Sequence, residues 1–447
     1  MKKANKKINN DTIAAISTPV GAGGISVIRI SGTDAKTVAL QVLDADKLDA
    51  GKFKVCSLKN CDVSDKVVAL YFKSPNSYTG EDVVEIQCHG NNVIAQNIIQ
   101  KLIQNGCRSA AGGEFTMRAF LNGKIDLTKA EAVFDIINAK SVSQVNSANS
   151  QMQGKLFLKI DELQNLLLEI IAGISVAIDY PDDVDEITEK TKLLINLGKI
   201  VNGLKSLKDS YNEGRQKRDG IAVAIIGKPN VGKSMLLNSL LGYNRAIVSH
   251  EEGTTRDTIE ENYVYKGMLF KFIDTAGIRK TGSDAEKQGI EKSLELIKDA
   301  DIVLAVSDND KDFDSDVVKD CDKPIIYVKN KSDLCRGEQS EPADPNEYLL
   351  VSALKGTNIE SLKEIIYSKT AGKISTDGTT INNLRHYSAV IEALNCLNRV
   401  SGKIHSLDLD CILADLNESL RHLGSITGIT ASEEVIKEIF AKFCVGK

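Results

Sequence analysis

From Ile221 to about Gly372, apolar runs of strand length (IAVAII, MLFKFID, DIVLAVSD, PIIYVKN and EYLLVSA) alternate with segments long enough to form helices. Runs that are apolar on both faces suit strands covered by helices on each side, which restricts this part of the chain to a parallel α/β sheet with crossover helices. Directly after the first run stands Gly227-Lys-Pro-Asn-Val-Gly232-Lys233-Ser234, a match to GxxxxGK[ST], and directly after it comes the helix-forming MLLNSLLG. Strand, glycine-rich loop and helix in that order are the context a phosphate-binding P-loop requires. The glycines let the backbone N–H groups around Asn230, Val231 and Gly232 curl about a β-phosphate, and the helix N-terminus adds positive potential. Lys233 can then reach the β- and γ-oxygens, and the Ser234 hydroxyl can ligate Mg²⁺.

Three later signals follow on the same architecture. Asp274-Thr275-Ala276-Gly277 closes the run MLFKFI, so the Asp274 carboxylate ends a strand where it can hold Mg²⁺ through water, leaving the Gly277 N–H for a γ-phosphate. Asn330-Lys331-Ser332-Asp333 follows PIIYV. A carboxylate at Asp333 can accept from N1–H and the N2 amine of guanine, donors that adenine lacks, which selects GTP over ATP. Ser352-Ala353-Leu354-Lys355, after EYLLV, suits a backbone N–H on guanine O6. Between the P-loop and Asp274 lies Gly253-Thr254-Thr255-Arg256-Asp257, in the position of a switch loop, with Thr255 the expected Mg²⁺ ligand. Ile278 stands where many regulatory GTPases carry a Gln to orient water. Asp284, Glu286 and Glu291 downstream are candidates for that work, although each alone reads as a solvated helix charge. A cation at the P-loop, with Asn230 among its ligands, could replace an arginine finger.

With 447 residues the chain has room for about three domains. Lys and Arg total 56 against 61 Asp and Glu, which excludes a uniformly basic nucleic-acid binder and leaves only a local patch for such contact. Nine scattered Cys without CxxC pairs indicate neither a disulfide framework nor a zinc ribbon, and fit a reduced, cytoplasmic setting. No run reaches the roughly 20 apolar residues needed to span a bilayer, and no apolar stretch follows the polar, basic start, so no membrane association is expected.

Residues 12 to 123 carry short β-branched runs between Gly, Asn and Pro clusters, an α+β pattern. Residues 128 to 180 take a helical period, with Leu156, Ile160, Leu163, Leu167, Ile170, Ile171 and Ser175 in step and Pro181 as the stop. EGRQKRDG reads as a polar linker. Helical period returns after residue 380, with Val390, Ile391, Leu394 and Leu397 on one face, and Thr430 with Glu433 forms a capping box. The expected arrangement packs these last helices against those of residues 128 to 211, with the sheet domain inserted between. Gly21-Ala-Gly-Gly24 precedes a strand and not a helix, so it reads as a tight turn and not a dinucleotide fingerprint.

GKPNVGKS, GTTRD, DTAGIR and NKSD resemble the potassium-activated branch of the translation-factor-related GTPases. DTIAAISTPVGAGGISVIRISG, SYTGEDVVEIQCHG, GEFTMRAFLNGKIDLTKAEAV and the terminal FCVGK are similar to the MnmE (TrmE) family, and the resemblance covers essentially the whole chain. It implies a multi-domain α/β and α+β protein: an N-terminal folate-binding and dimerisation domain (1–123), a helical domain in two parts (124–215 and 374–447), and a Ras-like P-loop G domain (216–373) inserted in it. The implied activity is K⁺-activated GTP hydrolysis within modification of carbon 5 of the wobble uridine of certain tRNAs. The implied partners are a second copy of the chain and the FAD-carrying, NADH-using MnmG (GidA), together forming a heterotetramer. A formyl- or methylene-tetrahydrofolate is implied as the one-carbon donor. By motif, the resemblance places folate contacts at Arg29, Glu85, Lys124 and Lys447, and K⁺ ligands at Asn230, Ser249, Glu251 and Thr254. It also assigns the water-positioning role to Glu286 and a catalytic role to Cys444.

On the residues alone, Arg29 inside an apolar strand fits an anionic ligand tail and a buried ion pair equally well. Cys88 and His89 read as packing at a strand end, and Cys444 as a small core residue. CVGK stands for the commoner CIGK, and Asn91 occupies a place where Gly is usual, at a turn that Asn tolerates. The alternative is a ribosome-assembly GTPase of the same branch, which leaves FCVGK without a role.

Overall fold

The structure is a computed structural model and describes residues 11–180, 186–242, 260–274, 296–309, 313, 321–334, 348–370, 379–403 and 408–447. Two compact units emerge: one from the described residues of Met1–Phe134, Gln151–Leu204 and Ser388–Lys447, the other from those of Asp135–Ser150 and Lys205–Tyr387.

The first unit contains β1 (Ile13–Ile16), β2 (Ile25–Ser31), β3 (Phe53–Ser57), β4 (Lys66–Phe72), β5 (Val83–His89) and β6 (Arg108–Ser109), in the order β3-β4-β5-β2-β1-β6. All pairings are antiparallel except β1 with β6. The alternation of β2 sets the layers: Ile28 and Ile30 are fully buried, in one core cluster with Val38 and Ala39 of helix Ala35–Val42 and Ile98 and Leu102 of helix Asn92–Gln104. The opposite face carries Ile25, Val27 and Arg29 of β2 in register with His89, Gln87 and Glu85 of β5, half-buried or exposed. The strand reading of ISVIRI holds.

The expected long helix is divided. Helices span Leu127–Asn138, Val142–Met152 and Lys155–Asp179, and the last buries Leu156, Ile160, Leu163, Leu167, Ile170, Ile174 and Ala177, so the stripe runs through Ile174 to Ala177 and not through Ser175. This helix packs against helix Leu409–Thr427, which agrees with the expected packing of the last helices. The cap of helix Glu433–Ala441 is not Thr430: the Ser432 side chain accepts from Val435 N, while the Thr430 hydroxyl donates to Arg421 O at 2.6 Å. Ile436, Phe440 and Phe443 then close a core with Leu127, Ala130 and Val133. Asn91 does not form a positive-φ turn; at φ −119 it caps helix Asn92–Gln104, accepting from Val93 N.

The second unit contains β7 (Ile221–Ile226), β8 (Glu260–Tyr265), β9 (Met268–Asp274), β10 (Ile302–Ser307), β11 (Ile325–Lys329) and β12 (Leu349–Leu350), ordered β12-β11-β10-β7-β9-β8. All neighbours are parallel except β8 and β9, as the apolar runs anticipated. The extra antiparallel strand β8 turns into β9 through Lys266 and Gly267, both at positive φ, a two-residue hairpin connection.

EGRQKRDG is not a linker but most of helix Tyr211–Asp219. Arg218 pairs with both oxygens of Asp135 at 2.9 Å, and Arg215 and Gln216 reach Asp301, whose carboxylate also accepts from Ala222 N. Gly214 is required there because a Cβ would lie 2.1 Å from Ile381 O. Through such contacts residues 135–150, 205–215 and 379–387 group with the parallel sheet, whereas the domain boundaries expected from sequence put them in the helical domain.

Candidate functional site

In the second unit, the P-loop joins the C-terminal end of central strand β7 to helix Lys233–Leu241, with Gly232 as N-cap at φ 93. Backbone curvature sets the glycines: Gly227 is at φ 147, and a Cβ on it would meet Val306 O at 2.1 Å. Asn230 takes φ 67 and is exposed, as is Ser234 on the first turn of the helix; Val231 is buried. The Lys233 ammonium donates to Gly227 O at 2.6 Å and to Lys228 O at 2.9 Å, so the cation is already held inside the loop it is expected to serve. Asp274 ends β9 opposite Ile225 of β7, which puts two sequence-expected motifs at the same edge of the sheet. Ligands of parallel sheets bind at that edge, beyond the strand C-termini.

Asn330 is 2% exposed and acts as a bracket. Its amide donates to Val231 O at 3.0 Å, and its carbonyl accepts from Ala353 N at 3.0 Å, so it ties the P-loop to the loop after β12. The Ser352 hydroxyl donates to Asp333 Oδ1 at 2.5 Å and accepts from Lys355 N at 3.2 Å. The second bond orients the hydroxyl proton toward the carboxylate, and the hydroxyl holds the Asp333 carboxyl below its ordinary value. Ser352 N donates to Thr357 O, so the N–H groups of both Ser352 and Ala353, expected at guanine O6, are already engaged.

Lys331 takes φ 64, and its ammonium lies 2.8 Å from Asp308 Oδ2. Asp308 was not singled out in the sequence, although its place directly after β10, at the ligand edge, is a usable signal. Ser249, Glu251, Thr254, Thr255, Thr275, Ala276, Gly277 and Glu286 lie outside the described residues, and Asp274 is described only through its backbone. Among the described residues no cluster of three or more His, Cys, Asp or Glu could hold a metal ion.

The first unit holds a second constellation. Arg29 is 16% exposed and donates to Glu85 Oε1 through Nε at 2.9 Å, with Nη2 at 2.8 Å from the same oxygen. Its guanidinium stands 5.3 Å from the centroid of the Tyr78 ring and 5.8 Å from that of Phe115. The ion-pair reading of Arg29 is therefore realised, and among the described residues Glu85 Oε2 has no hydrogen-bond partner. Such a half-buried acceptor beside two rings fits the donor edge of a planar heterocycle. Burial pushes the Tyr78 phenol up, and its hydroxyl contacts Thr116 Oγ1 at 2.8 Å.

The last residues thread into this domain. Gly113 N donates to Cys444 O, Phe115 N to Lys447 O, and Ser17 Oγ to Gly446 O at 3.0 Å. Arg29 Nη1 is 3.5 Å from Gly446 O, so three of the four expected folate residues share one neighbourhood. Lys124 stands at the Gly80 turn, donating to Pro75 O at 2.9 Å. Cys444 is exposed and not a core residue, because Phe440 and Phe443 fill the core beside it. His89 is exposed, its Nδ1 2.6 Å from Asp65 Oδ1.

Residues 12–124 match the family described as GTP-binding protein TrmE N-terminus, and residues 127–444 match the MnmE helical domain. A protein named tRNA modification GTPase MnmE from Carboxydothermus hydrogenoformans is 41% identical over 460 residues, covering 98% of this chain and 99% of that one. The chain belongs to the MnmE family. Another MnmE, from Flavobacterium johnsoniae, is 40% identical over 465 residues, covering 98% of this chain and 100% of its own length. The G domain of the T. maritima FeoB iron transporter is 26% identical across 33% of this chain and 98% of that one, with a TM-score of 0.25 on which nothing rests. No helix among the described residues is long and apolar enough to cross a membrane.

Proposed function

We propose that this chain is a GTP hydrolase acting in modification of carbon 5 of the wobble uridine of certain tRNAs. It works as a cytoplasmic homodimer with the FAD-containing, NADH-using partner MnmG (GidA) in a heterotetramer. The observation that carries the reading is the pairing, in one chain, of a P-loop bracketed by Asn330 to the Asp333 loop with a C-terminal tail laid beside Arg29 and Glu85.

In the G domain, the P-loop N–H groups and Lys233 hold the phosphates, Ser234 and Thr255 ligate Mg²⁺, and Asp333 reads guanine. Asp274 holds Mg²⁺ through water and Glu286 positions the hydrolytic water. Asn230, Ser249, Glu251 and Thr254 hold K⁺, whose charge serves in place of an arginine finger. In the N-terminal domain, Glu85 Oε2 accepts from the aminopyrimidine edge of a tetrahydrofolate derivative. Arg29, Lys124 and Lys447 secure the remainder, and Tyr78 and Phe115 exclude water. A bound 5-formyl- or methylene-tetrahydrofolate supplies the one-carbon unit. The exposed Cys444 thiol of the same tail serves as a catalytic group. The face bearing exposed Ile25, Phe53 and Val55 is the one a second copy covers, since exposed apolar side chains clustered on one sheet face mark interfaces. GTP and K⁺ binding draw the G domains of the dimer face to face, hydrolysis follows, and the resulting motion resets the complex and so times the chemistry.

The test is mass spectrometry of tRNA nucleosides from cells lacking the gene, complemented by wild type or Asp274→Ala. Loss of the carbon-5 aminomethyl-type uridines, restored by wild type alone, is the expected result; unchanged nucleosides would remove the tRNA reading.

A further inference from the structure

The ion pair between Lys331 and Asp308 joins two loops at the ligand edge of the parallel sheet. Lys331 follows β11 and belongs to the Asn330–Asp333 segment; Asp308 follows β10 and lies in no recognised motif. Their charged atoms are 2.8 Å apart, at 35% and 33% exposure. The two loops are joined a second time through backbone, Asn330 N donating to Ser307 O at 2.8 Å, while Ser307 Oγ accepts from Asn309 N. Asp308 therefore stands on a fixed loop end. Lys331 is held at φ 64, in the left-handed region that residues with a Cβ seldom adopt. That conformation is enforced on one side by the buried Asn330 bracket and met on the other by the Asp308 carboxylate.

We propose that Asp308 is a positioning residue for the guanine nucleotide, acting through Lys331. This rests on the reading of Asp333 and its neighbours as the base site. A lysine stem has four rotatable bonds, and left alone its ammonium would sample many positions in water. Anchored to Asp308, the stem is ordered before nucleotide arrives, so binding need not order it. A pair this exposed adds little to folding stability. Its effect belongs on nucleotide residence, because the order it imposes matters only when the base docks.

Ordering one long side chain corresponds to an affinity change of about two- to tenfold. The experiment measures association and dissociation of fluorescent GDP and GTP analogues by stopped flow for wild type, Asp308→Asn, Asp308→Glu, Lys331→Met and the Lys331→Met/Asp308→Asn double variant. Each is run at low and high salt, with thermal midpoints in parallel.

The expected result is dissociation accelerated about two- to tenfold in Asp308→Asn for both nucleotides, with association and midpoint unchanged. Asp308→Glu should recover most of the loss. Asp308→Asn should have no further effect in the Lys331→Met background, and high salt should narrow the gap between wild type and Asp308→Asn. Equal dissociation in wild type and Asp308→Asn overturns the proposal, as does an effect that persists in full without Lys331. If Asp308→Asn lowers the midpoint, dissociation still decides: lost stability with unchanged dissociation assigns the pair to structure and overturns the proposal, whereas faster dissociation that Asp308→Glu restores supports it. A wild type that binds adenine as well as guanine nucleotides would remove the base-site reading itself, a separate failure.

Discussion

Ser17 donates its hydroxyl to the Gly446 carbonyl at 3.0 Å, joining positions 429 apart in sequence. Gly446 sits at φ 96, and a Cβ on it would lie 2.4 Å from Ile16 O and 2.8 Å from Ser17 Cα. The tail thus reaches Arg29 only because this residue has no side chain. Gly446→Ala is expected to lift the tail off β1 and weaken binding of 5-formyl-tetrahydrofolate at least tenfold. The thermal midpoint of the G domain should stay within a degree or two, since the change lies in the other unit. Calorimetric titration together with a melt checks both; unchanged folate affinity would sever the tail from the site.

Asn330 is a stronger candidate for large effects than the charged residues of its motif. Asn330→Ala would leave Val231 O and Ala353 N, both buried, without their partner, at about 1–3 kcal/mol each. The P-loop and the loop after β12 would then lose their connection. GDP affinity is expected to fall by a hundredfold or more, and a drop of less than threefold in equilibrium binding would contradict the bracket role.

These two residues show where sequence reasoning reached and where it stopped. The P-loop, its strand and Asp274 were legible because each is local: apolar run, glycines and helix follow one another between Ile221 and Leu241. The contact of Gly446 with Ile16 and Ser17 was not, since nothing in a pentapeptide states which strand it meets. Helix Tyr211–Asp219 was hidden by its polarity, its order coming from ion pairs to Asp135 and Asp301 and not from an apolar stripe. Strand β8 was missed although Tyr263 and Tyr265 alternate ahead of a Lys266–Gly267 turn. The cap slipped by two residues, from Thr430 to Ser432, because both offer a hydroxyl and only the geometry decides between them.

The N-terminal domain should lose stability in acid through one ionic network. Arg118, 3% exposed, meets Asp11, Glu81 and Glu114, and Arg108 meets Asp11 and Glu114. Burial pushes the Glu114 carboxyl up, but hydrogen bonds from Arg108, Ala111 N and Arg118 outweigh it and leave it below its ordinary value. Asp11 is likewise lowered, Arg108 and Arg118 together overcoming its desolvation. Carboxylates lowered on folding contribute fully above the unfolded values of about 4, and that contribution fades as pH falls through the depressed folded values. Urea unfolding followed from pH 7 to pH 3 should therefore show a steeper decline in wild type than in Glu114→Gln. Parallel curves would exclude the network as the source.

Asp333→Asn offers a test of base recognition that does not depend on hydrolysis. In wild type the Ser352 hydroxyl occupies Asp333 Oδ1, leaving Oδ2 as the acceptor for guanine donors. With asparagine's Oδ1 still accepting the proton of the same hydroxyl, its amide nitrogen takes the place of Oδ2. A donor then faces the base where an acceptor stood. Guanine opposes it with N1–H and the N2 amine, whereas xanthine presents a carbonyl at position 2. Affinity for GDP should fall by about a hundredfold or more, and affinity for XDP should rise correspondingly. Competition binding with the two diphosphates reads the exchange directly, and loss of GDP binding without gain of XDP would mean that Ser352 does not set the orientation of residue 333.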